Sequence, residues 1–172
     1  LNYRVARVDG AIISMGEQLL ESLFSQAAFE MKYLISRDQD FHKEFHSKKS
    51  LFTETLEQLA ALADSSDQKQ RAADITVRYS IYVALFEKES TRLNEGNPPP
   101  RKEYMEKREA ILGDVDEALR SLIREVRTER DEKVELSGRI SHRTVRVTVA
   151  AAALTIGLGI LISFYITRSI GK

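Results

Sequence analysis

Two histidines and one aspartate have a spacing that could hold a metal ion. Asp38, His42 and His46 lie four residues apart, so on a helix their side chains would share one face. Two imidazoles and a carboxylate suit Zn²⁺ or Ni²⁺, and the same group could respond to pH. The simpler interpretation is a set of solvated polar residues at the start of a helix. No other motif indicates a metal or a cofactor, and we expect no cofactor.

A second set of residues could bind an anionic ligand. Arg78 lies close to Tyr82 in one apolar pattern, and Arg108 falls within another. A guanidinium that faces a pocket can bind a carboxylate, and a tyrosine ring could stack on the ligand. The alternative is that each arginine extends into solvent or pairs with Asp74, Glu109 or a neighbouring helix.

Catalytic chemistry has no candidate in this sequence. The chain contains no cysteine, and it has neither a glycine-rich phosphate loop nor a serine in a nucleophile elbow. The 26 basic residues match the 26 acidic residues, so no basic surface indicates a nucleic-acid partner. We therefore expect this segment not to be an enzyme and not to bind nucleic acid.

The elements that would position these residues are helices, because apolar residues recur at heptad spacing in four segments. We predict helices over about 3–36, 39–63, 67–94 and 101–143. Asp38 or Asp40 could cap the second helix. Alternatively, the first and second helices could form one continuous helix. Ser65 with Gln68 forms a capping box for the third helix, and Gly96 with three prolines ends it.

The sequence thus predicts an all-α fold, an antiparallel up-down four-helix bundle with long helices. The apolar positions predicted to form its core are Ile12, Leu19, Leu20, Leu23, Phe24, Ala27, Met31, Leu34, Phe45, Phe52, Leu56, Leu59, Ala63, Ala72, Ile75, Tyr79, Tyr82, Phe86, Leu93, Met105, Leu112, Val115, Leu119, Leu122 and Val126.

The end of the chain carries a predicted membrane span. Residues 147–167 contain no charge, and about 21 helical residues match the thickness of one hydrocarbon core. Basic residues flank both sides, so the charges do not decide the orientation. We predict a bundle over 1–143 whose last helix continues into a transmembrane helix over 144–167, followed by a short linker over 168–172.

Three segments resemble bacterial four-helix-bundle sensor domains: FEMKYLISRDQDFHKEF, RYSIYVALF and ISFYITRSI. Such domains occur in sensor histidine kinases and methyl-accepting chemotaxis receptors, between two membrane spans and before a HAMP linker. The resemblance implies a homodimer in the bacterial inner membrane, with the bundle on the periplasmic or extracellular side. Residues 168–172 would begin the HAMP-type linker, and Arg146, Tyr165 and Arg168 would take part in transmembrane signalling.

The function expected from this resemblance is the periplasmic sensor and transmembrane portion of a sensor histidine kinase. A small-molecule ligand or a periplasmic partner protein would shift the last helix, and the membrane span would pass that shift on. The alternatives are the sensing region of a chemotaxis receptor and a membrane-anchored helical tether that senses nothing.

Overall fold

A computed structural model describes residues 2–97 and 101–132 of the 172-residue chain. The described residues form four packed helices without a strand. Helix α1 spans Asn2–Ser36, α2 spans Gln39–Leu62 and α3 spans Ser66–Asn94. Helix α4 covers residues 101–132. The bounds of the first three helices lie within one residue of those predicted from the sequence.

The chain divides into two compact units. Of the described residues, 3–97 and 101–130 belong to the first unit, and Asn2, Asp131 and Glu132 belong to the second. The predicted end of the last helix at 143, the membrane span over 144–167 and the linker over 168–172 all lie outside the described residues. Among the helices that the structure describes, none has an apolar stretch long enough to cross a membrane.

The first break shows a helix end without glycine. Arg37 adopts a left-handed backbone conformation, with φ at 59°, and its N–H donates to the Tyr33 carbonyl at 2.7 Å. Asp38 then caps α2, since its side chain accepts from the Asp40 N–H at 2.9 Å. Of the two caps considered in the sequence, Asp38 is therefore the one used, and α1 and α2 are separate helices.

The capping box predicted at the second break is present in a modified form. The Ser65 hydroxyl accepts from the Gln68 N–H at 3.0 Å, as expected. The Gln68 side chain reaches back to the N–H of Asp64 at 3.2 Å, one residue earlier than in the usual box. The two bonds satisfy backbone donors at the start of α3.

Helix α3 ends in a Schellman motif at the predicted glycine. Gly96 has φ at 77°, its N–H donates to the Leu93 carbonyl, and the Asn97 N–H donates to the Arg92 carbonyl. These two bonds define the motif, which requires a left-handed residue where glycine stands.

Side-chain contacts show that α1 and α2, and likewise α2 and α3, run in opposite directions. The Ser22 hydroxyl of α1 donates to the Lys48 carbonyl of α2 at 3.2 Å, whereas Tyr33, later in α1, packs its ring 4.9 Å from that of His42, earlier in α2. Helices α2 and α3 likewise pair Phe52 with Tyr79 at 3.8 Å and Phe45 with Phe86 at 3.9 Å between ring centroids. Each pair is antiparallel.

Helix α4 packs against both α3 and α1. Arg71 of α3 donates to Ser121 at 3.2 Å, and Arg127 of α4 donates to Glu17 of α1 at 3.2 Å. Gly16 allows a close approach between α1 and α4, because a Cβ at this position would lie 2.6 Å from a side-chain carbon of Ile123. The first and last described helices are therefore direct neighbours.

The core follows the predicted heptad positions closely in α2 and α3, where all of the predicted apolar side chains are buried. The prediction was wrong for Phe24, whose surface is 53% exposed. Polar side chains occupy part of the α1 stripe instead, since Gln26 and Glu30 are fully buried. Burial of each large apolar side chain stabilises the fold by roughly 1.5–3 kcal/mol. Burial of the Glu30 carboxylate gives no such gain, so other contacts must stabilise it.

Candidate functional site

A buried carboxylate joins three helices at one point. Glu30 of α1 is fully buried and accepts hydrogen bonds from the phenols of Tyr82 in α3 and Tyr104 in α4. Arg108 of α4 pairs with it, with 2.7 Å between Nε and Oε1. We call these four residues the Glu30 site.

Arg108 makes the site electrically neutral. Only 13% of its side chain is exposed, and its Nη2 also donates to the Ala27 carbonyl at 3.0 Å. A buried carboxylate without a cation would carry a desolvation cost of several kcal/mol, which a close pair with added hydrogen bonds offsets. The pair therefore holds α4 against α1 as long as both charges remain.

The two phenols of the site stay protonated at any ordinary pH. Burial raises the pKa of Tyr82 and of Tyr104 far above the usual value, and the nearby negative charge of Glu30 raises both further. Each tyrosine is consequently a permanent hydrogen-bond donor to the carboxylate.

A polar stripe extends the Glu30 site along the core. Gln26, one turn before Glu30, accepts from the Tyr79 hydroxyl at 2.8 Å and donates to the Phe45 carbonyl at 3.4 Å. Tyr33, one turn after Glu30, donates to the Asn94 side chain at 3.2 Å. The spacing 26, 30, 33 puts these side chains on one face of α1, and their partners belong to α2, α3 and α4.

The structure brings together two of the three residues predicted to bind an anion. Tyr82 and Arg108 meet at Glu30, so the carboxylate that Arg108 binds belongs to the chain itself. Arg78 lies elsewhere, with its side chain 40% exposed, and pairs with Asp74 at 2.7 Å, as in the alternative interpretation. This hydrogen bond raises the pKa of Arg78.

Glu30 itself is the residue that sequence reasoning missed. It stands seven residues after Leu23, at a heptad position of the apolar stripe of the first helix. A carboxylate at a core position requires a cation from another helix, and Arg108 shows the complementary anomaly in the fourth pattern. Glu30 and Arg108 are charged residues at core positions, and this was the sequence signal that could have predicted a contact between the first and fourth helices.

A groove of about 250 Å³ adjoins the Glu30 site. Five apolar side chains line it together with Glu89, Arg101 and Tyr104; the apolar ones are Met31, Leu34, Ile35, Leu93 and Met105. Burial raises the pKa of Glu89. Tyr104 contributes to both places, since it lines the groove and donates to Glu30. We call this cavity the end groove, because it lies where α1 and α3 end and α4 begins.

The predicted histidine pair is close in space, but its third partner differs from the prediction. His42 and His46 bring their Nε2 atoms within 3.4 Å, and Glu87 of α3 places a carboxylate oxygen 3.7 Å from His46. Asp38 is the exposed N-cap of α2 and is not a member of this group. Among the described residues, His42, His46 and Glu87 are the group whose ligand atoms lie within 4.8 Å of one another.

The residues predicted for transmembrane signalling, Arg146, Tyr165 and Arg168, lie outside the described residues. Comparison of the chain with protein-family models, curated proteins and solved structures found no match.

Proposed function

We propose that this chain is the extracytoplasmic sensor and transmembrane portion of a bacterial sensor histidine kinase. In this proposal the four helices form an up-down bundle, and α4 continues into a membrane helix over 144–167. Catalysis belongs to a cytoplasmic part of the receptor. The antiparallel contacts between α1 and α2 and between α2 and α3 support the bundle, and the uncharged segment 147–167 supports the membrane span.

The observation that carries the proposal is the double role of Tyr104. Its ring lines the end groove, and its hydroxyl donates to Glu30, the carboxylate that pairs α1 with α4. A ligand that displaces Tyr104 would remove a donor from a buried anion. The remaining partners would then have to rearrange, because an unsatisfied buried charge is costly. Occupancy of the groove thereby changes the position of α4 relative to α1.

The lining of the groove indicates the chemistry of its ligand. Its apolar side chains would cover an apolar body, Arg101 would bind a carboxylate, and Glu89 would bind an ammonium group. Apolar α-amino acids combine these three features. A ligand of this kind shifts the equilibrium between two helix arrangements only if it binds one of them more tightly.

We also propose that the chain forms a homodimer in the inner membrane, with the bundle on the outer side of that membrane. A sensor of this type requires a partner helix through which the shift is passed on, and the equal charges of the chain leave dimer formation free of net repulsion. A tether would keep the same helices but would show no response to a small molecule.

A thermal-shift experiment on the 172-residue chain in detergent micelles tests the proposal. L-leucine, L-methionine and L-phenylalanine are compared with polar amino acids, organic acids and aromatic acids. A ligand of the folded state raises the free energy of unfolding by about 2.7 kcal/mol at one hundred times Kd, and the melting temperature keeps rising with the logarithm of the ligand concentration. We expect a shift with at least one apolar amino acid, and we expect Arg101→Ala to abolish it.

Lys102→Ala is the matched control, because Lys102 is also basic and exposed at the start of α4 but does not line the groove. Absence of a shift with every compound class would contradict direct sensing. A shift that Arg101→Ala leaves unchanged would contradict the assignment of the groove.

A further inference from the structure

The group formed by His42, His46 and Glu87 has the geometry of a transition-metal site. Its two histidines lie one helical turn apart on α2, a spacing used by helical zinc sites, and the carboxylate comes from the facing side of α3. We propose that these three residues bind one divalent transition-metal ion, Zn²⁺ in the first place. This site goes beyond the proposed function and does not depend on it.

The separations between the ligand atoms support this assignment. Zinc bonds to nitrogen and oxygen are about 2.0–2.2 Å long, so two ligands of a tetrahedral ion lie about 3.3–3.6 Å apart. The Nε2 atoms of His42 and His46 are 3.4 Å apart, which matches that separation. Glu87 Oε1 lies 3.7 Å from His46 Nε2, and the ligand atoms of all three residues lie within 4.8 Å of one another, so the glutamate would move closer to the histidines when it binds the ion.

The surroundings hold the two imidazoles in place. The His42 ring packs 4.9 Å from Tyr33 and 5.8 Å from Phe86, and the His46 ring packs 5.5 Å from Phe45. These aromatic neighbours restrict the rings on their inner side. Burial lowers the pKa of His46, and the neutral imidazole is the form that binds a metal.

The outer side of the group is open to solvent. The side chains of His46 and Glu87 are 36% and 40% exposed, so an ion can enter, and water can occupy the fourth position. Two imidazoles favour Zn²⁺, Co²⁺, Ni²⁺ or Cu²⁺ over Mg²⁺ and Ca²⁺, which prefer oxygen ligands.

Lys49 would compete with a metal ion for the Glu87 carboxylate. Its ammonium nitrogen lies 3.4 Å from Glu87 Oε1, the same oxygen that would bind the ion. Metal binding must therefore displace this ammonium from the carboxylate. The Lys49 charge also acts on His46 directly, so the loss of affinity in Glu87→Gln is the result that distinguishes the three-residue site from chance binding to the two histidines.

Zn²⁺ titration of the 172-residue chain tests the site, with a purification tag that lacks histidine. Isothermal calorimetry in micelles should give one Zn²⁺ per chain, and bound Co²⁺ should show the strong visible absorption of a tetrahedral ion. We expect His42→Ala and His46→Ala each to weaken binding by more than about tenfold, since even outer-shell partners contribute 10- to 100-fold. Glu87→Gln should also weaken it, whereas Lys49→Gln should tighten it.

His142→Ala serves as the histidine-content control, because His142 is the third histidine of the chain. Melting curves in the presence of a chelator show whether each variant is folded. Absence of binding to the unchanged chain would overturn the proposal, as would equal affinity after the removal of both His42 and His46. An unchanged affinity in folded Lys49→Gln and Glu87→Gln would overturn Glu87 as the third ligand.

Discussion

At the scale of single residues, the interior of this protein is organised by a carboxylate. Glu30 accepts hydrogen bonds from three side chains of two other helices, and these bonds hold its carboxylate in place. Sequence periodicity predicted the apolar core around it, because burial of apolar side chains follows the helical repeat. Periodicity places Glu30 and Arg108 as charged residues at core positions, but it could not predict the phenol donors of Glu30 or the partners of Glu87, since the choice of a facing residue depends on how the helices pack.

The first prediction concerns the buried ion pair. Arg108→Met leaves Glu30 buried without a cation, and it should lower the free energy of unfolding by about 3–5 kcal/mol in urea denaturation. Arg120→Met is the control, because Arg120 pairs with Asp116 on the surface at 2.9 Å and such pairs contribute only about 0.3–0.5 kcal/mol. The double variant Glu30→Gln, Arg108→Met should recover part of the loss. Equal losses for the two arginine variants would contradict the account.

The buried phenols predict a dependence on alkaline pH. In the unfolded chain tyrosine ionises near pH 10, whereas burial raises the pKa of Tyr79, Tyr82 and Tyr104 well above that in the folded state. The folded state thus retains protons that the unfolded chain releases. The free energy of unfolding should fall above about pH 10, by up to about 1.4 kcal/mol per pH unit for each tyrosine.

Melting temperatures between pH 8 and 11 measure this dependence. Tyr82→Phe should show a shallower decline than the unchanged chain, since one of the buried titrating groups is gone. The same slope in both proteins would mean that Tyr82 does not contribute.

At the scale of elements, the sequence specified the helices and most of their ends. The Ser65 cap and the left-handed Gly96 were predicted, because each depends on a few adjacent residues. At the first break the sequence left Asp38 and Asp40 as alternative caps, and the structure shows that Asp38 is used. The end of α1 was less clear, because an arginine takes the left-handed position there. Phe24 was assigned to the core on its spacing alone, yet it lies on the exposed side of α1.

Two glycines with opposite roles give a test at this scale. Gly96→Ala should destabilise the protein by about 1–2 kcal/mol, because alanine strains the left-handed conformation that ends α3. Gly113→Ala should stabilise it by about 0.5–1 kcal/mol, because this glycine lies in α4 and an added Cβ would meet nothing within 4 Å. Thermal denaturation of both variants measures the two signs, and equal signs would contradict the assigned backbone conformations.

At the scale of the whole molecule, the proposed function depends on the contact between α1 and α4. These helices are joined by a buried pair at Arg108, by a close approach at Gly16 and by a surface pair at Glu17. The first of these contacts adjoins the end groove through Tyr104. Helix shifts at subunit interfaces in allosteric proteins are about 1–2 Å, and under the proposed function we expect α4 to shift by a similar amount.

The most direct test is the distance between α1 and α4 with and without a ligand in the groove. The chain has no cysteine, so spin labels can be placed on Ala28→Cys and Ala110→Cys, two exposed positions of these helices. Pulsed electron resonance on the full chain in lipid nanodiscs would be recorded without ligand and with saturating L-leucine, or with the apolar amino acid that gives the largest thermal shift. The proposed function predicts a change of about 1–2 Å in the mean distance, absent in Arg101→Ala. An unchanged distance in a chain that binds the ligand would contradict it.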